Sequence, residues 1–91
     1  MEIQLKMISV ASEVFSYKKK NPTAIPEEVF QHITDYIDQE RVRDEKTKVA
    51  MIAAAGKAFE IARKNPGNSE KILLKQFLEE IPEILNNISE E

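Results

Sequence analysis

Met7-Ile8-x-x-Ala11-x-x-x-Phe15-x-x-x-x-Lys20-Asn21-Pro22 recurs 44 residues later, without a gap, as Met51-Ile52-x-x-Ala55-x-x-x-Phe59-x-x-x-x-Lys64-Asn65-Pro66. The match continues past the proline, where Val29, Phe30, Ile33 and Ile37 fall on Leu73, Leu74, Phe77 and Ile81. Each copy reads as a broad apolar helix, a Lys-Asn-Pro stop and a second apolar stripe. The chain is therefore expected to hold two tandem helical hairpins, residues 3–41 and 45–88, within one domain covering 1–91. A hairpin of this length cannot bury a full core alone, so the two should pack together. That gives an all-α four-helix bundle with an approximate two-fold relation between hairpins.

The first helix should run from Ile3 to Lys19. Ile3, Met7, Val10, Val14 and Tyr17 form one row, and Ile8, Ala11 and Phe15 lie beside it. Two adjacent rows suit a helix packed on more than one neighbour. Ser9, Ser12 and Ser16 read as a polar flank. Lys18, Lys19 and Lys20 complement the negative end of the helix dipole, and Asn21-Pro22 stops the helix because a residue before proline avoids the helical region. The second helix starts near Pro26, with Thr23 as a candidate cap and Val29, Phe30, Ile33 and Ile37 as its stripe.

Residues 38–48 decide the architecture. They hold no Gly or Pro, so a single helix from Pro26 to Lys64 is one reading. The apolar stripe nearly disappears between Ile37 and Val49, and Asp44 suits an N-cap, so a break between Arg41 and Asp44 is preferred. A break lets the hairpins fold on each other within one chain; a continuous rod would make them pair with another copy.

The third helix, Glu45 to Lys64, repeats the rows of the first with smaller residues: Val10 becomes Ala54, Val14 becomes Ala58 and Ser12 becomes Gly56. Glycine in mid-helix costs about 1 kcal/mol relative to alanine. Ala53-Ala54-Ala55-Gly56 thus suggests a close neighbour, either the first helix or a partner. Asn65-Pro66-Gly67-Asn68 is a turn, after which Asn68 or Ser69 can cap a fourth helix carrying Ile72, Leu73, Phe77 and Ile81. Pro82 should kink or restart that helix by removing the hydrogen bond to Leu78. Ile84, Leu85 and Ile88 continue beyond it with no counterpart in the first hairpin, where Glu40 and Arg41 stand opposite Ile84 and Leu85.

Composition bounds the function. A chain that is 42% hydrophobic has enough apolar side chains for a core. It has no Cys, which excludes disulfides, thiolate metal sites and a Cys nucleophile, and its two glycines supply no phosphate-cradling loop. A formal charge of −3 disfavours non-specific binding to nucleic acid or acidic membranes. No apolar run is long enough to span a bilayer, and the opening residues, with Glu2 and Lys6 among them, do not resemble a signal peptide. A cytoplasmic location is expected.

His32, the single histidine, reads as a surface or hydrogen-bonded residue between Glu28 and Tyr36, since a metal site needs more ligands. Glu27-Glu28, Glu79-Glu80 and Glu90-Glu91 read as solvated charge, because neighbours on a helix point about 100° apart. Tyr17 and Tyr36 could meet across the first hairpin. No cofactor or metal is expected, nor is catalysis.

Val14, Asn21, Ile25-Pro26, Val29 and Ile33 give the first hairpin a likeness to the N-terminal helical region of Ros/MucR-type bacterial regulators. Lacking Cys, the chain cannot supply the Cys-and-His zinc finger through which those regulators bind DNA. The resemblance implies an oligomerisation module without its reader, and it assigns no family.

The expected function is a small non-enzymatic interaction module. It would bind a protein partner, or itself as a homodimer, through Gly56, Ile84, Leu85 and Ile88. The alternative is a regulatory protein that contacts nucleic acid through Lys18, Lys19, Lys20, Arg41, Arg43, Lys46 and Lys48, joined by Arg63 and Lys64 if the hairpin tips lie together.

Overall fold

A computed structural model describes residues 2–89 as four helices: α1 (Glu2–Lys20), α2 (Pro26–Gln39), α3 (Glu45–Lys64) and α4 (Glu70–Ser89). The repeat holds at the level of single hydrogen bonds. Asn21 N and Nδ2 both donate to Tyr17 O, and Asn65 N and Nδ2 both donate to Ile61 O. Ala24 N then bonds Asn21 O, as Asn68 N bonds Asn65 O. Each asparagine side chain thus closes the last turn of its helix, and proline prevents the helix from resuming.

α1 and α3 are the central pair and pack most extensively on each other. α2 lies against both, and so does α4, whereas α2 and α4 do not pack together. The two Asn-Pro turns share one end of the bundle, because Lys18 of α1 stands 5.5 Å from the Phe59 ring of α3. α1 and α3 therefore run parallel, and their return helices run the other way.

Burial follows the repeat. Met7, Val10, Ala11 and Val14 are buried in α1, as are Met51, Ala54, Ala55 and Ala58 in α3. Val29, Ile33 and Ile37 of α2 match Leu73, Phe77 and Ile81 of α4. The small residues of α3 face the larger ones of α1, which is how two central helices approach without voids. Phe30, Ile52 and Ile72 were expected on the apolar faces, but they are 44%, 50% and 47% exposed. Each adjoins the buried row in sequence, and the 100° step between helix neighbours carries it outside the contact.

The link is a break. Arg41 N bonds Asp38 O, Arg41 takes φ 57°, and Asp44 caps α3 by accepting from Thr47 N at 3.2 Å and Thr47 Oγ1 at 2.7 Å. The longest dimension is 34 Å, far below the ~58 Å of a continuous helix from Pro26 to Lys64. One local expectation is corrected. Thr23 does not cap α2; the N-cap is Ile25, whose N–H donates to Glu28 Oε1 at 3.1 Å. α4 does not restart at Pro82 but runs through it. Pro82 and Leu78 are both exposed, so water can take the carbonyl freed by proline. Ser69, one of the two candidates, caps α4 by accepting from Ile72 N at 3.3 Å.

Candidate functional site

The seam between α1 and α2 is filled. Ser9, Glu13 and Tyr17 recur every four residues along α1 and meet His32 and Tyr36 of α2. Ser9 Oγ hydrogen-bonds Tyr36 Oη. His32 Nε2 lies 3.1 Å from Glu13 Oε1, and its ring stacks on Tyr17 at 4.4 Å between centroids. His32 therefore takes its partners from α1 rather than from Glu28 and Tyr36 on its own helix. Tyr17 and Tyr36 each engage a different neighbour. Of the three serines, Ser9 bridges helices, a role that spacing along one helix cannot reveal.

The seam between α3 and α4 is different. Ser9 is replaced by Ala53 and Ser12 by Gly56, and a groove of about 1030 Å³ opens between the helices. Val49, Ala53 and Gly56 line it from α3, and Ile84 and Ile88 from α4. Glu45, Lys46, Lys57 and Asn87 border it. A Cβ placed on Gly56 would meet nothing within 4 Å, so Gly56 is not pressed by α1; its missing side chain widens the groove. Val49 is 47% exposed and Ile52 lies one turn along α3, similarly open.

Ile84 is 6% exposed and belongs to the core, while Leu85 and Ile88 are half-buried against it. The apolar end of α4 thus covers the bundle with one side and floors the groove with another. Lys57 holds the rim by reaching Glu60 and Glu80, both at 3.6 Å. Glu60, also paired with Lys64 at 3.3 Å, has its carboxyl held below the usual range by the Lys64 hydrogen bond and the charges of Lys64 and Lys57. Sequence reading placed Ala53 beside Gly56 in the run of small residues but missed Val49 and Lys57. The signal was the 44-residue comparison itself, which sets Ala53 and Gly56 against two serines.

No protein-family model matches this chain, nor does any curated protein or solved structure.

The cationic candidates divide between the two ends. Lys18 and Lys19 line a small groove at the turn end with Arg63, and Lys18 Nζ donates to Pro22 O at 3.0 Å. Arg41 and Arg43 lie at the opposite end, around the link where Lys6 pairs with Glu40 at 3.1 Å. Lys46 is on the first turn of α3 beside that link, and Lys48 is half-buried near it. Lys6 and Lys19 are ~20 Å apart along α1 at 1.5 Å per residue, so the two groups do not form one continuous basic surface. The hairpin tips do come together, but they bring Arg63 and Lys64 to Lys18–Lys20 and not to Arg41–Lys48. Among the described residues, no group of three His, Asp or Glu side chains could hold a metal ion, and no helix is long and apolar enough to cross a membrane.

Proposed function

We propose that the chain is a non-enzymatic interaction module that receives a helix of a protein partner in the groove between α3 and α4. One observation carries this reading: Val49, Ile52, Ala53 and Gly56 leave an apolar strip of α3 open beside Ile84 and Ile88, whereas Ser9, the repeat counterpart of Ala53, is bonded across its seam to Tyr36. Two parallel walls of helix with a glycine between them suit an amphipathic helix that presents anchors at i, i+3 or i+4, and i+7. From Glu45 to Lys57 the groove is ~18 Å long, about three turns of such a helix.

The test is selection of helical peptides on the intact chain, with Gly56→Trp as counter-bait. Peptides enriched on the parent should carry apolar anchors at helical spacing, bind at least tenfold more weakly to Gly56→Trp (about 1.4 kcal/mol) and be insensitive to Lys19→Ala at the far end. Peptides that bind both baits equally, or no enrichment, would overturn the assignment.

A further inference from the structure

The link between the hairpins holds a second property, independent of the groove. Five residues, Glu40–Asp44, join α2 to α3. They turn the chain back with Arg41 at φ 57°, the single residue with a side chain in the left-handed region among those described. Glycine ordinarily fills such a position at a helix end, and both glycines of this chain lie elsewhere. The flanking sequence, Asp38–Lys48, has no helix breaker. The link is thus a tight turn closed without glycine, with Arg41 held in a region that residues with a side chain avoid.

Three packed pairs, α1 with α3, α1 with α4 and α2 with α3, lie between hairpins rather than within one. A second copy can supply each of them unchanged, because closed monomer and exchanged dimer would differ only at Glu40–Asp44. We infer that this chain exchanges hairpins with a second copy, the first hairpin of each packing on the second hairpin of the other. Opening the link releases Arg41 from the left-handed region in both copies. Opposing this in the monomer are the half-buried Val42 and the Lys6–Glu40 pair. The α3–α4 groove lies wholly inside one hairpin, so the dimer would carry two intact grooves.

The test uses the absence of Cys. Lys18→Cys with Phe59→Cys places one thiol on each hairpin, close enough for a short bismaleimide to bridge because the Lys18 side chain ends 5.5 Å from the Phe59 ring. Refolded at high concentration and then treated with the bismaleimide, this variant should yield a covalent dimer on denaturing gels. Adding Arg41→Gly should lower the dimer fraction at least tenfold, because glycine removes the conformational cost of the closed turn. Intramolecular cross-links alone, or a dimer unaffected by Arg41→Gly, would overturn the inference. The unmodified chain provides a second readout that does not depend on the cysteines. An exchanged dimer isolated by gel filtration should revert on dilution at the slow rate of unfolding, whereas reversion within mixing time, or no dimer at any concentration, would also overturn it. Gly56→Trp separates the two proposals: it blocks helix binding in the groove and leaves hairpin exchange intact.

Discussion

The two hairpins share turns, register and core positions, yet they finish their seams in opposite ways. In the first, Ser9, Glu13 and Tyr17 meet His32 and Tyr36, and polar and aromatic side chains close the surface. In the second, Ala53 and Gly56 replace the serines, and Ile84 and Ile88 lie beyond the point equivalent to the end of α2 at Gln39. The comparison teaches that the repeated positions hold the core and the unrepeated ones shape the surface. An equal register in the interior leaves the outward face of each seam free to diverge, because packing constrains only what is buried.

The largest expected effect lies where the hairpins agree. Ile33 and Phe77 occupy the same repeat position and are both fully buried. Phe77→Ala should cost about 3–5 kcal/mol, read as a lower urea midpoint with an unchanged slope. A much smaller loss would mean that the core is not shared between the hairpins as described.

Val14 and Ala58 also correspond, and both are fully buried. The difference in size should be obligatory, since the small residues of α3 admit the larger ones of α1. Ala58→Val should therefore cost about 1–3 kcal/mol by overpacking. A neutral result in the same unfolding assay would show slack between α1 and α3.

The seams themselves should respond with opposite sign. Tyr36→Phe removes the hydroxyl that bonds Ser9 and should destabilise by about 1 kcal/mol. Gly56→Ala should stabilise by up to about 1 kcal/mol, because the added methyl enters open space. Paired thermal melts of the two variants check the contrast; loss of stability at Gly56→Ala would show that the groove is closed in solution.

The smallest effect concerns the helix starts. α3 is capped by the Asp44 carboxylate, whereas α2 begins at Ile25 without a side-chain cap. Hydrogen bonds from the Thr47 side chain, and then from backbone amides, hold the Asp44 carboxyl below its ordinary range. A carboxylate shifted down on folding adds stability above its unfolded value and loses it as pH falls through the lower folded one. Asp44→Asn keeps a capping oxygen but cannot titrate, so it should flatten part of the acid limb of stability against pH. An unchanged acid limb would assign that limb to other carboxylates, Glu60 among them.

Much of the fold is legible in the sequence. The Lys-Asn-Pro stops and the loss of the stripe before Asp44 rest on interactions within a few residues of chain, which local spacing reports directly, and the 44-residue offset shows that the second half repeats the first. Other features depended on which helix lies beside which. His32 bonds Glu13, 19 positions away, and Tyr36 bonds Ser9 across the same seam, so neither partner shows in the periodicity of its own helix. Ile84 and Ile88 both line the groove, yet Ile84 is buried in the core and Ile88 only packs against it, because the stripe is wide enough to face the bundle and the opening together.

The sequence by itself determined the four helices, their pairing into hairpins and the rows that become the core, since those follow from backbone geometry and side-chain size. Only the tertiary structure decided that α1 and α3 run parallel at the centre, that Pro82 sits inside an unbroken helix and that Gly56 faces a groove instead of a neighbour. These depend on the rotation of whole helices about their axes. That rotation is set by the joint packing of Met7, Val10 and Val14 against Met51, Ala54 and Ala58, a collective outcome that no single stretch of chain encodes.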